Sequence, residues 1–107
     1  MIIITGSITG RPDTIDELVA ASLEHVRRAR GEPGCLLHAV HRDVEDPLRL
    51  VFIEQWESPA AVRAHFAVPG AAGFVRAAAA LADSPPSLEM FSATPAGGLA
   101  ADDASAR

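Results

Sequence analysis

The 107-residue sequence predicts one α+β domain, a four-stranded antiparallel sheet with its helices on one face. Two observations carry this prediction. Apolar residues recur at helical spacing in two stretches, and four short runs rich in apolar residues are bounded by turn signals. The resulting order is β-α-β-β-α-β with the second helix broken in two, which is the ferredoxin-like split pattern. Antiparallel sheets in such folds carry their helices on one face.

The first strand and helix are predicted within the first thirty residues. Residues 2–8 are rich in β-branched side chains and are followed by glycine. Between positions 14 and 30 the apolar residues form one helical stripe. Thr14 followed by Glu17 matches a capping box, and Gly31 suits the far end of the helix.

An antiparallel hairpin is predicted next, because strands 35–42 and 48–57 are separated by a short turn. Side chains alternate along a strand, so Leu50, Phe52, Glu54 and Trp56 share one face of the second hairpin strand. Leu36, His38 and Val40 share a phase in the first hairpin strand. A carboxylate in such an apolar row, once covered, needs a hydrogen-bond partner or a proton.

The second helical region begins with Ser58 as N-cap and Pro59 at the first helical position. Pro69 and Gly70 interrupt it, and helical spacing resumes over 71–83. A last strand is predicted over 87–93. We therefore predict a domain over residues 1–94 and a flexible C-terminal tail over 95–107.

Both hairpin strands are apolar in more than one phase, so the sheet needs cover on both faces. The helices cover one face, and a second copy of the chain is the simplest cover for the other. The sequence therefore predicts a homodimer with a barrel-like interface.

Charge and composition disfavour several classes of function. The net charge of −5 disfavours nucleic acid, which needs clustered Lys and Arg. We interpret the basic cluster Arg27, Arg28 and Arg30 as a favourable helix end. The longest apolar runs fall short of the roughly 20 residues of a membrane span. The single Cys35 leaves no internal disulfide and fits a reducing, cytoplasmic location.

Metal and phosphate motifs are not found in the sequence. The histidines are His25, His38, His41 and His65, and their spacing matches no metal-binding signature, so we predict no metal site. "TGSITG" lacks the spacing of a glycine-rich phosphate loop.

The strand–helix corner "VFIEQWESPAAVRAHF" holds the candidate catalytic pair. His65 lies at the border of the buried helical stripe, and a histidine beside a buried carboxylate is a candidate general base oriented by Glu54. Three structural alternatives stay open. Trp56 is also consistent with an ordinary core residue. Glu54 is also consistent with a position at a dimer interface or with a hydrogen bond to the backbone, and His65 with a structural or surface residue.

The segment from Glu32 to Gly70 resembles the antibiotic biosynthesis monooxygenase (ABM) domain family of the dimeric α/β-barrel superfamily. The matching motifs are "PGC", the "D-x-x-D-P" turn at 43–47, "E-x-W-x-S" at 54–58 and "A-x-x-x-H-F" at 61–66. The resemblance extends over about residues 1–94. It implies a homodimeric barrel and a cofactor-independent oxygenase that acts on quinol or anthrone substrates with molecular oxygen.

The resemblance also implies a pocket between sheet and helices. The expected catalytic residues are His65 and Glu54, and the expected substrate-binding residues are Ser7, His38, Trp56, Phe66, Phe74 and Met90. Two departures from the family pattern stand out. Family members often carry tyrosine where His38 stands, and haem-degrading members use an Asn, a Trp and an iron-ligating His where Ser7, His65 and residues 75–76 lie here.

Three functional hypotheses follow. The first is a cofactor-independent monooxygenase for a small aromatic substrate, with no metal and no other cofactor. The second is a non-catalytic dimeric binding or stress-related module of the same fold. The third and weakest is a haem-degrading enzyme, which lacks its expected iron ligand.

Overall fold

The computed structural model describes residues 1–98 and contains seven helices and strands. They are β1 (Ile2–Thr9), α1 (Ile15–Ala29), β2 (Cys35–Arg42), β3 (Arg49–Trp56), α2 (Pro59–Ala67), α3 (Pro69–Leu81) and β4 (Ser87–Ser92). This order confirms the predicted α+β, ferredoxin-like arrangement, including the break of the second helix before Pro69. Residues 99–107, most of the predicted tail, lie outside the described part.

The four strands form one antiparallel sheet in the order β2-β3-β1-β4. In its register Glu54 lies opposite Ile4 of β1 and His38 of β2. The predicted phase of β3 is confirmed, since its four even-numbered residues, Leu50, Phe52, Glu54 and Trp56, are all buried. The odd-numbered residues of β3 are only half-buried and form part of the other face.

Two apolar clusters hold the helices on the sheet. The larger one packs α1 and α3 against the sheet through Leu18, Ala78 and Phe52. The smaller one packs α2 on the other end of the same strands through Val62 and Trp56. Because Glu54 stands between Phe52 and Trp56 on β3, it lies at the border between the two clusters.

Two local predictions were wrong. Leu36 does not share the phase of His38, because a β-bulge between Cys35 and Leu37 shifts the register, and Leu36 is 51% exposed. Thr14 does not cap α1 with its side chain. Its hydroxyl donates to the carbonyl of Leu81 at 2.7 Å and accepts from the amide of Arg11 at 3.0 Å, so it ties α1 to the end of α3.

The sheet face opposite the helices has no cover within the described residues. It carries an apolar row that crosses all four strands, made of Ile3, Leu37, Ala39, Val51, Ile53 and Phe91. We call this set the open face. Among residues 1–98 no single helix is long and apolar enough to cross a membrane; α2 and α3 pass that test only together, and they are bent by 71°.

Candidate functional site

Three buried imidazoles from three elements meet above β3. His25 comes from α1, His38 from β2 and His65 from α2, and their exposed fractions are 6%, 2% and 2%. Their ring centroids are 5.2 to 5.5 Å apart. Elements that are distant in sequence therefore build one polar cluster in an otherwise apolar layer.

The carboxylate of Glu54 is the centre of this cluster. The indole N–H of Trp56 donates to Glu54 Oε1 at 2.9 Å, and His38 Nε2 lies 3.2 Å from the same oxygen. His65 Nε2 lies 3.9 Å from it. Burial raises the pKa of Glu54, but the His38 ring, the Trp56 N–H and His65 favour the anion more strongly and hold the pKa below its ordinary value. Glu54 is therefore a buried anion facing two imidazoles.

His65 takes its orientation from a residue that the sequence analysis did not select. Its Nδ1 lies 2.7 Å from Oε1 of Glu32, in the turn between α1 and β2. A carboxylate accepts at this position, so Nδ1 carries a proton, and in the neutral tautomer Nε2 has the lone pair. The His65 ring also packs on the indole of Trp56, with centroids 4.6 Å apart. His65 thus has a fixed ring plane, with Nδ1 engaged by Glu32 and Nε2 without a hydrogen bond among the described residues.

His25 is held from the other side. Its ring stacks on Phe74 with centroids 4.2 Å apart and planes 13° apart. The guanidinium of Arg28 donates to its Nδ1 at 2.7 Å. Burial, together with the nearby rings of His38 and His65, lowers the pKa of His25 from 6.5 to about 3. His25 is consequently a neutral imidazole throughout the physiological pH range.

A cavity of about 300 Å³ adjoins the cluster, between the sheet and residues of all three helices. Most of its wall is apolar, and His25, Glu54 and His65 form its polar side. The lining residues are Gly6, Ser7, Ile8, His25, Phe52, Glu54, His65, Phe66, Ala71, Phe74, Val75, Ala78, Pro86, Ser87 and Leu88. This volume lies at the lower end of the range for small-molecule pockets.

Five of the eight predicted site residues line the cavity, namely Ser7, Glu54, His65, Phe66 and Phe74. The other three do not. His38 and Trp56 are fully buried neighbours of Glu54, and Met90 lies on β4, 49% exposed, two residues beyond the lining residue Leu88. The structure therefore brings the predicted pair His65 and Glu54 to one cavity and places His38 and Trp56 around it as supports.

His25 and Glu32 belong to the candidate site but were not predicted from the sequence. His25 follows Leu18 and Ser22 along α1 and precedes Ala29, all of which are buried. This helical spacing places His25 on the buried stripe and was a usable signal. Glu32 gave no such signal, because it lies in a turn and meets His65 only through tertiary packing.

The three histidines are also the residues that a metal ion would use. One ring nitrogen of each lies within 4.8 Å of the others. A tetrahedral zinc site holds nitrogens at 2.0–2.1 Å from the ion, which places them about 3.4 Å apart. Nitrogens separated by as much as 4.8 Å would have to move closer together to bind zinc. As they stand, the rings of His25 and His65 are engaged through Nδ1 in contacts with Arg28 and Glu32.

Known proteins of similar sequence and structure point to one family. A candidate antibiotic biosynthesis monooxygenase of Deinococcus radiodurans superposes with a TM-score of 0.88 at 24% identity, over 94% of this chain and 99% of that one. The crystal structure of another antibiotic biosynthesis monooxygenase superposes with a TM-score of 0.82 at 28% identity, over 89% of this chain and 100% of that one.

A curated relative, the uncharacterised protein sll1783 of Synechocystis, is 29% identical over 90 residues. The match extends over 84% of this chain but only 61% of the relative's length. The family model for antibiotic biosynthesis monooxygenase matches residues 1–77. The chain therefore belongs to the antibiotic biosynthesis monooxygenase family.

Proposed function

We propose that this protein is a cofactor-independent monooxygenase that oxidises a small aromatic substrate of the phenol or quinol type with molecular oxygen. The observation that carries the proposal is the apolar cavity of about 300 Å³ whose polar side is formed by His25, Glu54 and His65. An apolar wall suits a planar aromatic ring, and the few convergent polar groups suit a single hydroxyl or carbonyl.

The chemistry begins with a proton transfer. His65 lines the cavity, its Nε2 lies 3.9 Å from the Glu54 carboxylate, and Glu32 on Nδ1 stabilises the imidazolium that forms when Nε2 accepts the proton. A deprotonated phenol or anthrone is electron-rich, and the substrate itself reduces oxygen. For an aryl CH2 group, one oxygen atom replaces both hydrogens as a carbonyl, and the other leaves as water with those hydrogens. Substrate and oxygen thus supply all atoms and electrons.

The remaining predicted residues have supporting roles in this proposal. The Glu54 anion lies 3.9 Å from His65 Nε2, where a transferred proton would be received. Trp56 holds Glu54 through its N–H and forms the back wall behind His65. Phe66 and Phe74 provide aromatic surface, and Met90 lies on β4 two residues beyond the lining residue Leu88.

Oxygen consumption with a panel of quinols and anthrones tests the proposal. We expect turnover by the wild type and a loss of about 10²- to 10⁴-fold in kcat/KM in His65→Ala, the usual contribution of a general base. His41→Ala, an exposed histidine of β2, is the matched control and retains full activity. Labelled oxygen gas distinguishes a monooxygenase, which incorporates label into product, from an oxidase. Equal rates in wild type and His65→Ala would contradict the role of His65.

A non-catalytic binding module is the second candidate function. It is favoured by the structural hydrogen bonds that Glu54 and His65 already make, to Trp56 and Glu32. This candidate predicts saturable binding of the same aromatics with no oxygen uptake. A haem titration in the same series tests the haem-degrading hypothesis, which requires a Soret band.

We also propose that the protein is a homodimer that joins two open faces. The support is the apolar row on the sheet face that the chain's own helices leave uncovered, because the helices form a second layer on the other face only. A C2 dimer buries the same patch of both copies. We propose a reducing, cytoplasmic compartment on the basis of the single free cysteine, Cys35.

A further inference from the structure

We infer that His25 is a fixed hydrogen-bond donor for the substrate's oxygen anion, and that it forms a complementary pair with the base His65. The partners of the two imidazoles impose opposite tautomers on them. The inference deepens the proposed function, on which its substrate class rests, and it adds a residue from α1 to the site.

The tautomer of His25 follows from its partner. A guanidinium has five N–H donors and no acceptor, so Nδ1 of His25 accepts the bond from Arg28 at 2.7 Å. A neutral imidazole has one N–H, which is then on Nε2. Gly70 gives Arg28 its position, because a Cβ at Gly70 would lie 2.6 Å from the guanidinium carbon.

His65 has the reverse arrangement. Its Nδ1 lies 2.7 Å from a carboxylate oxygen of Glu32, which accepts, so the neutral ring carries its proton on Nδ1 and its lone pair on Nε2. Two histidines that line one cavity thus differ in function. His65 offers a base at Nε2, and His25 offers an N–H at the same ring position.

His25 is also well placed and rigid enough to be a donor. It lines the cavity, and its stacking on Phe74 fixes the ring plane. Among the described residues, Nε2 of His25 has no assigned protein acceptor, so its N–H is available to a ligand.

The charges around His25 keep it neutral. Arg28 faces it from its own helix, His38 from β2 and His65 from α2, and Glu54 of β3 opposes their effect. Burial and these neighbours bring the pKa to about 3, so His25 does not compete with His65 as the base. A neutral donor also avoids a buried cation beside the apolar wall.

The proposed step moves one proton and no electrons. The hydroxyl proton of a bound phenol moves to His65 Nε2, and the phenolate oxygen accepts a hydrogen bond from His25 Nε2–H. The resulting imidazolium is stabilised by Glu32 and Glu54. Donation to the anion is stronger than donation to the neutral phenol, so His25 lowers the pKa of the bound hydroxyl.

The test uses 4-nitrophenol, whose anion has its own visible absorbance, with its methyl ether 4-nitroanisole as a control that cannot ionise. Bound 4-nitrophenol is titrated spectroscopically in wild type, His25→Phe and His25→Gln. Phenylalanine keeps the ring stacked on Phe74 but removes the N–H, whereas glutamine restores a donor near the Nε2 position. We expect the pKa of the bound phenol to rise by about one to two units in His25→Phe. In His25→Gln it stays near the wild-type value.

Arg28→Met tests the control of the tautomer, with the exposed Arg27→Met as the matched control. In Arg28→Met the His25 ring regains both tautomers, so we expect a rise in the bound phenol's pKa that is smaller than in His25→Phe. Arg27→Met has no effect. Circular dichroism verifies folding, and if His25→Phe does not fold, the Arg28→Met and Arg27→Met pair decides.

Three results would overturn the inference. The first is that bound 4-nitrophenol has the same pKa in the wild type as in His25→Phe or Arg28→Met. The second is that its pKa rises as much in His25→Gln as in His25→Phe. The third is that 4-nitrophenol shows no saturable binding. 4-Nitroanisole is expected to bind wild type and His25→Phe with similar affinity. The titration measures an equilibrium and does not require turnover. If the pKa of bound 4-nitrophenol depends on His25 but no oxygen is consumed, the proposed monooxygenase activity is refuted and the donor role of His25 stands.

Discussion

One type of side chain has three different states in this site, and its partners decide which. His25 has a guanidinium on Nδ1 and is a donor at Nε2, whereas His65 has a carboxylate on Nδ1 and is a base at Nε2. His38 is the third case, because its Nε2 faces the Glu54 carboxylate at 3.2 Å while its Nδ1 is buried without a hydrogen-bond partner among residues 1–98. The chemistry of an imidazole is therefore determined by its surroundings rather than by its identity.

Acid stability gives a prediction for His25 alone. Its pKa is 6.5 in the unfolded chain and about 3 in the fold, so between these values the unfolded state binds a proton that the fold does not. The free energy of unfolding therefore falls as pH drops from 6.5 toward 3. Replacement of His25 by glutamine removes this dependence. We expect the slope of the free energy of unfolding against pH to decrease by up to about 1.4 kcal/mol per pH unit.

Urea unfolding at a series of pH values measures this slope. The depressed pKa of Glu54 also causes stability to fall with acidification, but it is present in both proteins and largely cancels in the comparison. His41→Gln, at an exposed position of the same protein, is the control and keeps the wild-type slope. Identical slopes in His25→Gln and wild type would show that His25 is not buried as a neutral group.

At the scale of elements, local patterns predicted most of the fold. The alternation along β3 and the Pro69 break between α2 and α3 depend on neighbours in sequence, and both are confirmed. The β-bulge at Leu36 and the role of Thr14 depend on contacts with other elements, and the local patterns misled there. Intrinsic patterns decide element type, whereas tertiary contacts decide register and caps.

The site follows the same division. Glu54, Trp56 and His65 lie within twelve positions of one another, so strand phase and helix spacing were enough to predict a shared corner. His25 and Glu32 come to the corner from α1 and the turn that follows it. Glu32 and His65 are 33 residues apart in the sequence. A single sequence contains no direct signal for such a pairing. The predicted orientation of His65 by Glu54 therefore missed the nearer carboxylate.

The turn between α1 and β2 gives a prediction at this scale, because it carries Glu32 and is fixed by Gly34. Gly34 has a φ of +83°, and a Cβ there would lie 2.5 Å from Cβ of Ala61 in α2. We expect Gly34→Ala to lower the free energy of unfolding by about 1–3 kcal/mol, through the left-handed backbone and the overlap. Urea denaturation measures the loss.

Gly31→Ala is the matched control in the same turn. A Cβ at Gly31 would meet only the carbonyl of Arg28 at 3.6 Å, an ordinary contact, so its effect stays within about 0.5 kcal/mol. The double variant Gly34→Ala/Ala61→Gly removes the overlap and recovers part of the loss. Equal stability of Gly34→Ala and wild type would mean that the turn is not held against α2.

At the scale of the whole molecule, the helices leave an apolar region uncovered at each of two places within residues 1–98. One is the mouth of the cavity, where Phe66, Val75 and Leu88 are 45%, 60% and 55% exposed. The other is the open face. Under the proposed function, the exposed mouth is the route by which an aromatic substrate enters the cavity. The open face has no such role in one chain, so its apolar character is better explained by association.

Oligomeric state is the last prediction, and Ile53 is the residue that tests it. It lies in the middle of the open face, with Thr5 opposite it on β1 and Ala39 opposite it on β2. A stable interface buries about 800 Å² on each partner. A lysine at its centre would bury a charge without a partner, which costs several kcal/mol.

We expect a dimer for wild type and a folded monomer for Ile53→Lys at micromolar concentration, by sedimentation velocity. Val44→Lys introduces the same charge at a turn residue that is 99% exposed, and it stays dimeric. A monomeric wild type, or a dimer that persists in Ile53→Lys, would exclude the open face as the interface.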